Sequence, residues 1–215
     1  ILLPMFKTLG VSLTRSGTFC FDNYIRLVTE PALRTPLLNS LVLGLLSVLV
    51  CGVTGTALAF FVHFFRFPGR QFMDKLLLLP VMLPGIIVVY AFFQLYGESG
   101  LITKSVQILF RLENPPINLS GLWGILLVHA YTQYVYFYIS VSIAIRHIDV
   151  CVIESAQNLG ASGFVIFKTI VLPFILPALT ASALITFMSG IGSFTAPSII
   201  GQGFKVLTTQ ILLSK

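Results

Sequence analysis

From Thr35 to Phe65 no Asp, Glu, Lys or Arg interrupts the chain, and three further uncharged stretches of similar kind follow. A helix needs about 20 apolar residues to cross a hydrocarbon core of ~30 Å. Each apolar residue adds a few tenths of a kcal/mol to insertion, whereas a central charge costs about 2.5–3.5 kcal/mol. Runs of this length therefore insert, and we place spans at about 38–65, 76–97, 119–145 and 169–198. Composition agrees. The 215 residues are 56% hydrophobic and only 9% charged, with a mean hydropathy of +0.97, against roughly 25% charged in a soluble domain. Thirteen basic and seven acidic side chains cannot clothe a globule of this size. The expected architecture is all-α, a polytopic transmembrane helical bundle forming a single membrane domain over 1–215.

The net charge of +6 is spread over the connecting loops. No Lys/Arg run with interleaved aromatics forms a nucleic-acid footprint, so the lipid bilayer, not nucleic acid, is the expected partner of the basic balance. The charges leave orientation open. Lys7, Arg15, Arg26, Arg34, Lys104, Arg111, Lys205 and Lys215 share one side by number, while Arg66, Arg70 and Lys75 crowd one short loop on the other, where the positive-inside rule is strongest. Cys20, Cys51 and Cys151 are odd in number and give neither a disulfide framework nor a zinc spacing. Ile1–Phe6 lacks the basic flank and cleavage site of a signal peptide. We read it as a truncated span and the chain as a fragment.

No Asp, Glu, Lys or Arg lies inside any span. A gradient-driven carrier usually keeps an ionisable group in the membrane to bind its coupling ion. Here His129 is the one such candidate deep within a span, His63 lying two residues from the end of its own, so the energy for uphill transport is expected to enter from outside the bilayer. An ion-gradient-driven secondary carrier or channel is the alternative, and it needs a coupling residue or filter that these spans do not show.

Three patterns inside the spans matter. Ser47, Cys51, Gly55 and Ala59 recur at i, i+4, a small-residue stripe that lets another helix approach closely. His129, Thr132, Gln133, Tyr136 and Ser140 fall on one helical face that either lines a solute path or bonds neighbouring helices. Ser189-Gly190-Ile191-Gly192-Ser193 allows either close packing or local unwinding beside a cavity. The candidate path is therefore His129, Thr132, Gln133, Tyr136, Ser189, Gly190, Gly192 and Ser193. Pro80, Pro84, Pro173 and Pro177 mark kinks or hinges, Pro173 lying near a helix start where its missing N–H is harmless.

Catalytic motifs fail. Gly163 to Thr169 lacks the glycine of a phosphate loop before Lys168, and Gly190-Ile191-Gly192 has Thr195 where a third glycine belongs. No paired carboxylates, metal-ligand spacing or nucleophile constellation appears. The chain is expected to be no enzyme, with no catalytic residues and no metal site.

The segment 146–168 is different. Val152, Ile153 and Leu159 alternate with Glu154, Gln157 and Asn158, giving a short amphipathic helix before Gly160 and a second helical piece running on to Pro173. Such an element suits docking in a partner's groove or lying on the lipid. Glu154, Ala156, Gly160, Ile170, Leu172 and Pro173, with Ser155 replacing the first alanine, resemble the EAA loop of binding-protein-dependent ABC transporter permeases. Asp22-Asn-Tyr24, Asn39-Ser40, Arg66-Phe-Pro-Gly69, Leu79-Pro80 and Leu83-Pro-Gly85 are similar to the family's usual order of features over nearly the whole chain.

The resemblance implies a MetI-like permease core in the bacterial inner membrane, with 146–168 as a cytoplasmic loop that docks on ATP-binding subunits. ATP and magnesium would sit in those subunits, with no cofactor in this chain. It also implies a periplasmic solute-binding protein and a second permease half or subunit. The 66–75 loop then lies inside, and the N-terminal, 97–118 and post-198 segments lie in the periplasm. Val135 stands where the family often has a proline. Gly97-Glu-Ser-Gly-Leu-Ile102, Ser193-Phe-Thr-Ala-Pro197 and Leu207-Thr-Thr209 look most like ferric iron, aminoethylphosphonate and polyamine permeases, ferric iron being the first expectation.

Overall fold

The computed structural model describes residues 2–15, 18–19, 21–116 and 119–213. Ile1, Cys20 and Lys215 lie outside them. α1 (Leu2–Leu13) leads into a two-residue antiparallel pair, β1 (Thr14–Arg15) with β2 (Thr18–Phe19), and then α2 (Asp22–Thr29). α3 (Pro31–Phe64) is the longest element and begins on Pro31, where no intrahelical donor is needed. α4 (Arg70–Leu76), α5 (Leu79–Met82), α6 (Gly85–Tyr96) and α7 (Leu101–Leu109) follow. Next come α8 (Gly121–Thr132), α9 (Tyr134–Arg146), α10 (Val150–Asn158) and α11 (Gly163–Ile166). A π-helical stretch, Phe167–Val171, joins α11 to α12 (Leu172–Ile191), and α13 (Thr195–Ile200) and α14 (Leu207–Leu213) close the chain.

Only the first expected span is one uninterrupted α-helix, and it starts seven residues earlier, at Pro31 rather than 38. The second, 76–97, is broken between α5 and α6. Pro84 forces its predecessor out of the helical region, and Leu83 is extended with ψ 128°. The third, 119–145, is kinked rather than broken: Gln133 between α8 and α9 keeps helical angles, φ −102° and ψ −12°, and Gly121–Arg146 runs on as one span-length element. Val135 in place of proline does not remove the kink. The carbonyl of His129 accepts the ordinary helical bond from Gln133 N at 2.7 Å and a second bond from Cys51 Sγ at 3.3 Å, so a side chain of α3 meets the helix at the kink.

The fourth, 169–198, is shifted. Its helix runs from Gly163 through the π stretch to Ile191, and α13 is a separate element. Pro173 has no N–H to donate and its ring crowds the carbonyl four residues back; the wider turn that results is the π stretch immediately before it. The expected loop 146–168 accordingly ends in helix from Gly163 on.

α3, α9 and α12 pack against one another as the centre of the bundle. The small-residue stripe makes this contact, for Ser47, Cys51, Gly55 and Ala59 are all buried. A Cβ on Gly55 would lie 2.4 Å from the carbonyl oxygen of Tyr134. A Cβ on Gly190 would lie 3.0 Å from the Cα of Gly44, and one on Gly44 would lie 3.0 Å from the ring of Phe187. Backbone meets backbone at both crossings, which only glycine permits. Two apolar clusters fill the rest. One joins Cys51, Ala59, Val135, Tyr138, Val141, Ile166, Val171 and Ile175; the other joins Leu43, Val88, Val89, Ile125, Val128, Ala196, Ile200 and Val206. Outward, α3 exposes Leu45, Leu49 and Val53 and α12 exposes Leu184, Ile185 and Met188. Helices apolar on every side belong in lipid.

Candidate functional site

A cavity of about 420 Å³ lies where two helix breaks and a helix kink converge. Leu83 and Gly85 reach it from the α5–α6 break, Gln133 from the α8–α9 kink, and Gly192 and Ser193 from the α12–α13 break. His129, Thr132, Tyr136 and Ser189 complete the polar lining. Seven of the eight sequence candidates for the path thus line one space. Gly190 does not; it is buried against Gly44, so at this position the packing role holds. Pro80, Val81, Leu83, Gly85, Thr195 and Ala196 also line the cavity and were not among the candidates. The Leu-Pro pairs were the signal, since a proline-broken helix at membrane depth is tolerated where it faces a cavity.

His129 organises the wall. Its Nδ1 is 2.7 Å from Ser47 Oγ and its Nε2 is 3.0 Å from Ser193 Oγ. The imidazole therefore ties α3 to the end of α12 through both nitrogens, the hydroxyls taking the complementary donor and acceptor roles. Thr208 Oγ1 donates to the carbonyl of Ser193 at 2.7 Å, which fixes the same turn from α14. Asn39 Nδ2 donates to Lys205 O at 2.9 Å, and Leu207 N donates to Ser40 Oγ at 2.8 Å. Asn39-Ser40 and Leu207-Thr-Thr209 are hence one device, a strap holding the chain's return beside the cavity.

The lining carries hydrogen-bonding groups and, among the described residues, no charged side chain. Gln133 is 9% exposed, and its Oε1 has no partner among the described residues. A buried acceptor left open is costly unless something donates to it. The cavity can hold a polar solute by hydrogen bonds without binding it as an ion pair. Single cysteines at 187–194, in a background lacking the native three, will test this face. Positions 189, 192 and 193 should react with a water-soluble thiol reagent and 190 should not; uniform protection of all four would remove the water path.

The 146–168 segment forms a second site. Asp149 caps α10 by accepting from Cys151 N at 2.9 Å. Ile153 and Ala156 face the apolar cluster, while Glu154 and Ser155 are exposed. Val152 and Leu159, expected on the apolar side, point outward, Leu159 at 88% exposure. The reason is the turn that follows. Gly160 takes φ +82°, and Ala161 N bonds back to Ala156 O at 3.0 Å, a glycine-terminated helix end that swings the chain away from Leu159. Ile170 is half-buried against the same cluster, whereas Leu172 and Pro173 are exposed. Phe60 of α3 meets Phe167 edge-on at 5.7 Å, joining the segment to the bundle.

A polar cluster beside α10 was not visible in the sequence. Arg146 Nη2 donates to Asp74 Oδ2 at 2.8 Å and Arg146 Nε donates to His63 Nε2 at 2.9 Å. An arginine only donates, so His63 accepts there and donates from Nδ1 to Ala59 O at 3.0 Å. Tyr138 donates its hydroxyl to Asp74 Oδ1, and Tyr134 donates to Leu77 O at 2.7 Å. Burial pushes the Asp74 carboxyl upward, but the Tyr138 hydroxyl and the Arg146 guanidinium outweigh it and hold it below the usual carboxylate range.

Residues 51–215 match the family model for "Binding-protein-dependent transport system inner membrane component". The chain is 30% identical over 214 residues to y4fN of Sinorhizobium fredii (strain NBRC 101917 / NGR234), named as an ABC transporter permease protein, covering 99% of this chain and 37% of that one. It therefore spans little more than a third of that relative's length. It is 25% identical over 198 residues to the Salmonella typhi permease protein PhnU, named for a 2-aminoethylphosphonate transport system, covering 91% of this chain and 68% of PhnU. Among solved structures, a chain of the bacterial alginate ABC transporter in complex with an alginate pentasaccharide-bound periplasmic protein superposes with a TM-score of 0.74 at 20% identity, covering 97% of this chain and 77% of that one. Permease subunits, not enzymes, are thus the company this chain keeps, and it belongs to the family of inner-membrane components of binding-protein-dependent transport systems.

Proposed function

We propose that the chain forms one half of the solute path of an ATP-driven, binding-protein-dependent importer. The observation that carries this reading is the convergence of two helix breaks and a helix kink on one polar, uncharged cavity. Unwound backbone at membrane depth is sustained only where it faces protein or water, and half-helix ends around a midplane cavity are how solutes are held in many transporters. The path residues are His129, Thr132, Gln133, Tyr136, Ser189, Gly192 and Ser193. A second permease half closes the cavity, a periplasmic solute-binding protein delivers to it, and cytoplasmic ATP-binding subunits receive Glu154, Ser155 and the Gly160 turn. Ile170, Leu172 and Pro173 carry the movement into α12. ATP and its magnesium belong to those subunits.

The solute is the finer question. No relative named above is named for ferric iron, whereas PhnU is named for an organic phosphonate. On that likeness 2-aminoethylphosphonate is the first solute to try, ahead of ferric iron; its phosphonate oxygens accept and its ammonium donates, so the hydrogen-bonding lining can engage both ends. In vesicles holding the complete transporter, uptake should need ATP and the binding protein and should survive collapse of the proton gradient. Uptake driven by an imposed proton or sodium gradient without ATP would instead establish a secondary carrier.

A further inference from the structure

On the reading above, a push on the 146–168 segment reaches the cavity through α12. That route moves only one of the three walls. The α5–α6 wall, which carries Leu83 and Gly85, connects to the cytoplasmic end of the bundle through α4. Asp74 of α4 is bonded to α9 there by Tyr138 and Arg146, and Leu77 O, just past α4, accepts from Tyr134 at the start of α9. Arg146 is the last residue of α9, and four residues later Val150 begins α10. Ile148, between them, is buried in the apolar cluster, so the linker cannot absorb displacement freely.

We propose that Arg146 and Asp74 form a second transmission arm, through which displacement of α10 moves α4 and with it the α5–α6 wall of the cavity. Both are positioning residues; neither lines the cavity. Arg146 grips on two sides, Asp74 on α4 and His63 at the end of α3, so α4 is referenced to the scaffold helix as well as to α9. Tyr138 holds the second carboxylate oxygen from within the core. A carboxylate held at both oxygens by two donors has a fixed direction as well as an attraction. The pair is part-exposed and adds little to stability as an isolated surface ion pair would. Its effect is on the geometry of α4.

The test uses the assembled transporter with its ATPase in vesicles, comparing Asp74→Asn, Arg146→Gln and Asp74→Glu. Solute moved per ATP hydrolysed should fall about five- to tenfold in Asp74→Asn and Arg146→Gln, as for residues that carry coupling without touching either ligand. ATPase copurification should be unchanged, and Asp74→Glu should stay within about twofold of the parent. Where Asp74→Asn fails to accumulate, Tyr138→Phe removes one bond without removing charge and should show the same loss in smaller degree. The direct readout is a cysteine at Leu83 and, separately, one at Ser193. In Asp74→Asn the ATP-dependent change in labelling should vanish at 83 and persist at 193, which a general loss of structure would not produce. Wild-type transport per ATP in Asp74→Asn, or equal loss of the labelling change at both positions, overturns the arm. Failure of the parent chain to bind any ATPase would overturn the proposed function instead.

Discussion

Gly160→Val is expected to cut solute uptake to below about a tenth of the parent level while leaving the chain inserted in the membrane. Gly160 stands at φ +82°, a region that costs a residue with a Cβ roughly 1–2 kcal/mol and a β-branched residue more. Space is not the difficulty, because nothing lies within 4 Å of the added Cβ position. The strain is in the backbone. Relief requires the turn to unwind, which removes the Ala161 N bond to Ala156 O and re-aims α10, the element proposed to dock on the ATPase. Tenfold corresponds to about 1.4 kcal/mol, within what the turn would lose. Gly160→Asn separates backbone from bulk, since asparagine tolerates the left-handed region, and should retain most of the uptake. Uptake and ATPase copurification at parent levels in Gly160→Val would show that the loop is not the coupling element.

The second large effect is at the centre of the bundle. Gly55→Ala should lower the thermal midpoint of the detergent-solubilised protein by many degrees, or prevent its accumulation, although it adds one methyl group. The new Cβ would sit 2.4 Å from Tyr134 O, 2.7 Å from Phe137 Cβ and 3.1 Å from Tyr138 N. Two of these are backbone atoms, which cannot rotate aside, so α3 and α9 must separate. Overpacking a well-filled core costs about 1–3 kcal/mol even where side chains can yield. Separation would also pull Cys51 from the carbonyl of His129, loosening the contact of α3 with α8 beside Gln133. Gly52→Ala is the control. Its Cβ would meet only the ring of Phe137, at 3.4 Å, and the midpoint should shift by no more than a surface substitution's ~0.5 kcal/mol would cause. Equal behaviour of the two variants would contradict the close crossing of α3 and α9.

The uncharged runs between Arg34 and Arg66 and between Lys168 and Lys205 were enough to make the chain a membrane helical bundle. Insertion free energy is a sum over residues and needs no partner. The stripe Ser47, Cys51, Gly55 and Ala59, and the glycine at 160, were legible for a similar reason. Helical spacing puts the former on one face, and positive φ is a local property that one residue type serves. Their roles as packing face and turn follow from the chain alone.

Where the helices break was only partly legible. Pro84 announces its break through a local steric rule, but nothing at Gln133 announces the kink there, and the contact of Cys51 with the His129 carbonyl beside it joins residues 78 apart. Likewise Gly190 and Gly192 are two residues apart and alike in sequence. Only the crossing with Gly44 decides that the first packs and the second lines the cavity. The bond from Arg146 to Asp74 joins residues 72 apart in the chain, and no periodicity links them. Composition and local geometry thus determined what kind of chain this is and where it turns. Which polar groups meet, and which glycine lines the cavity, was settled by contacts between segments distant in sequence, where each side chain's partner is set by the packing of whole helices.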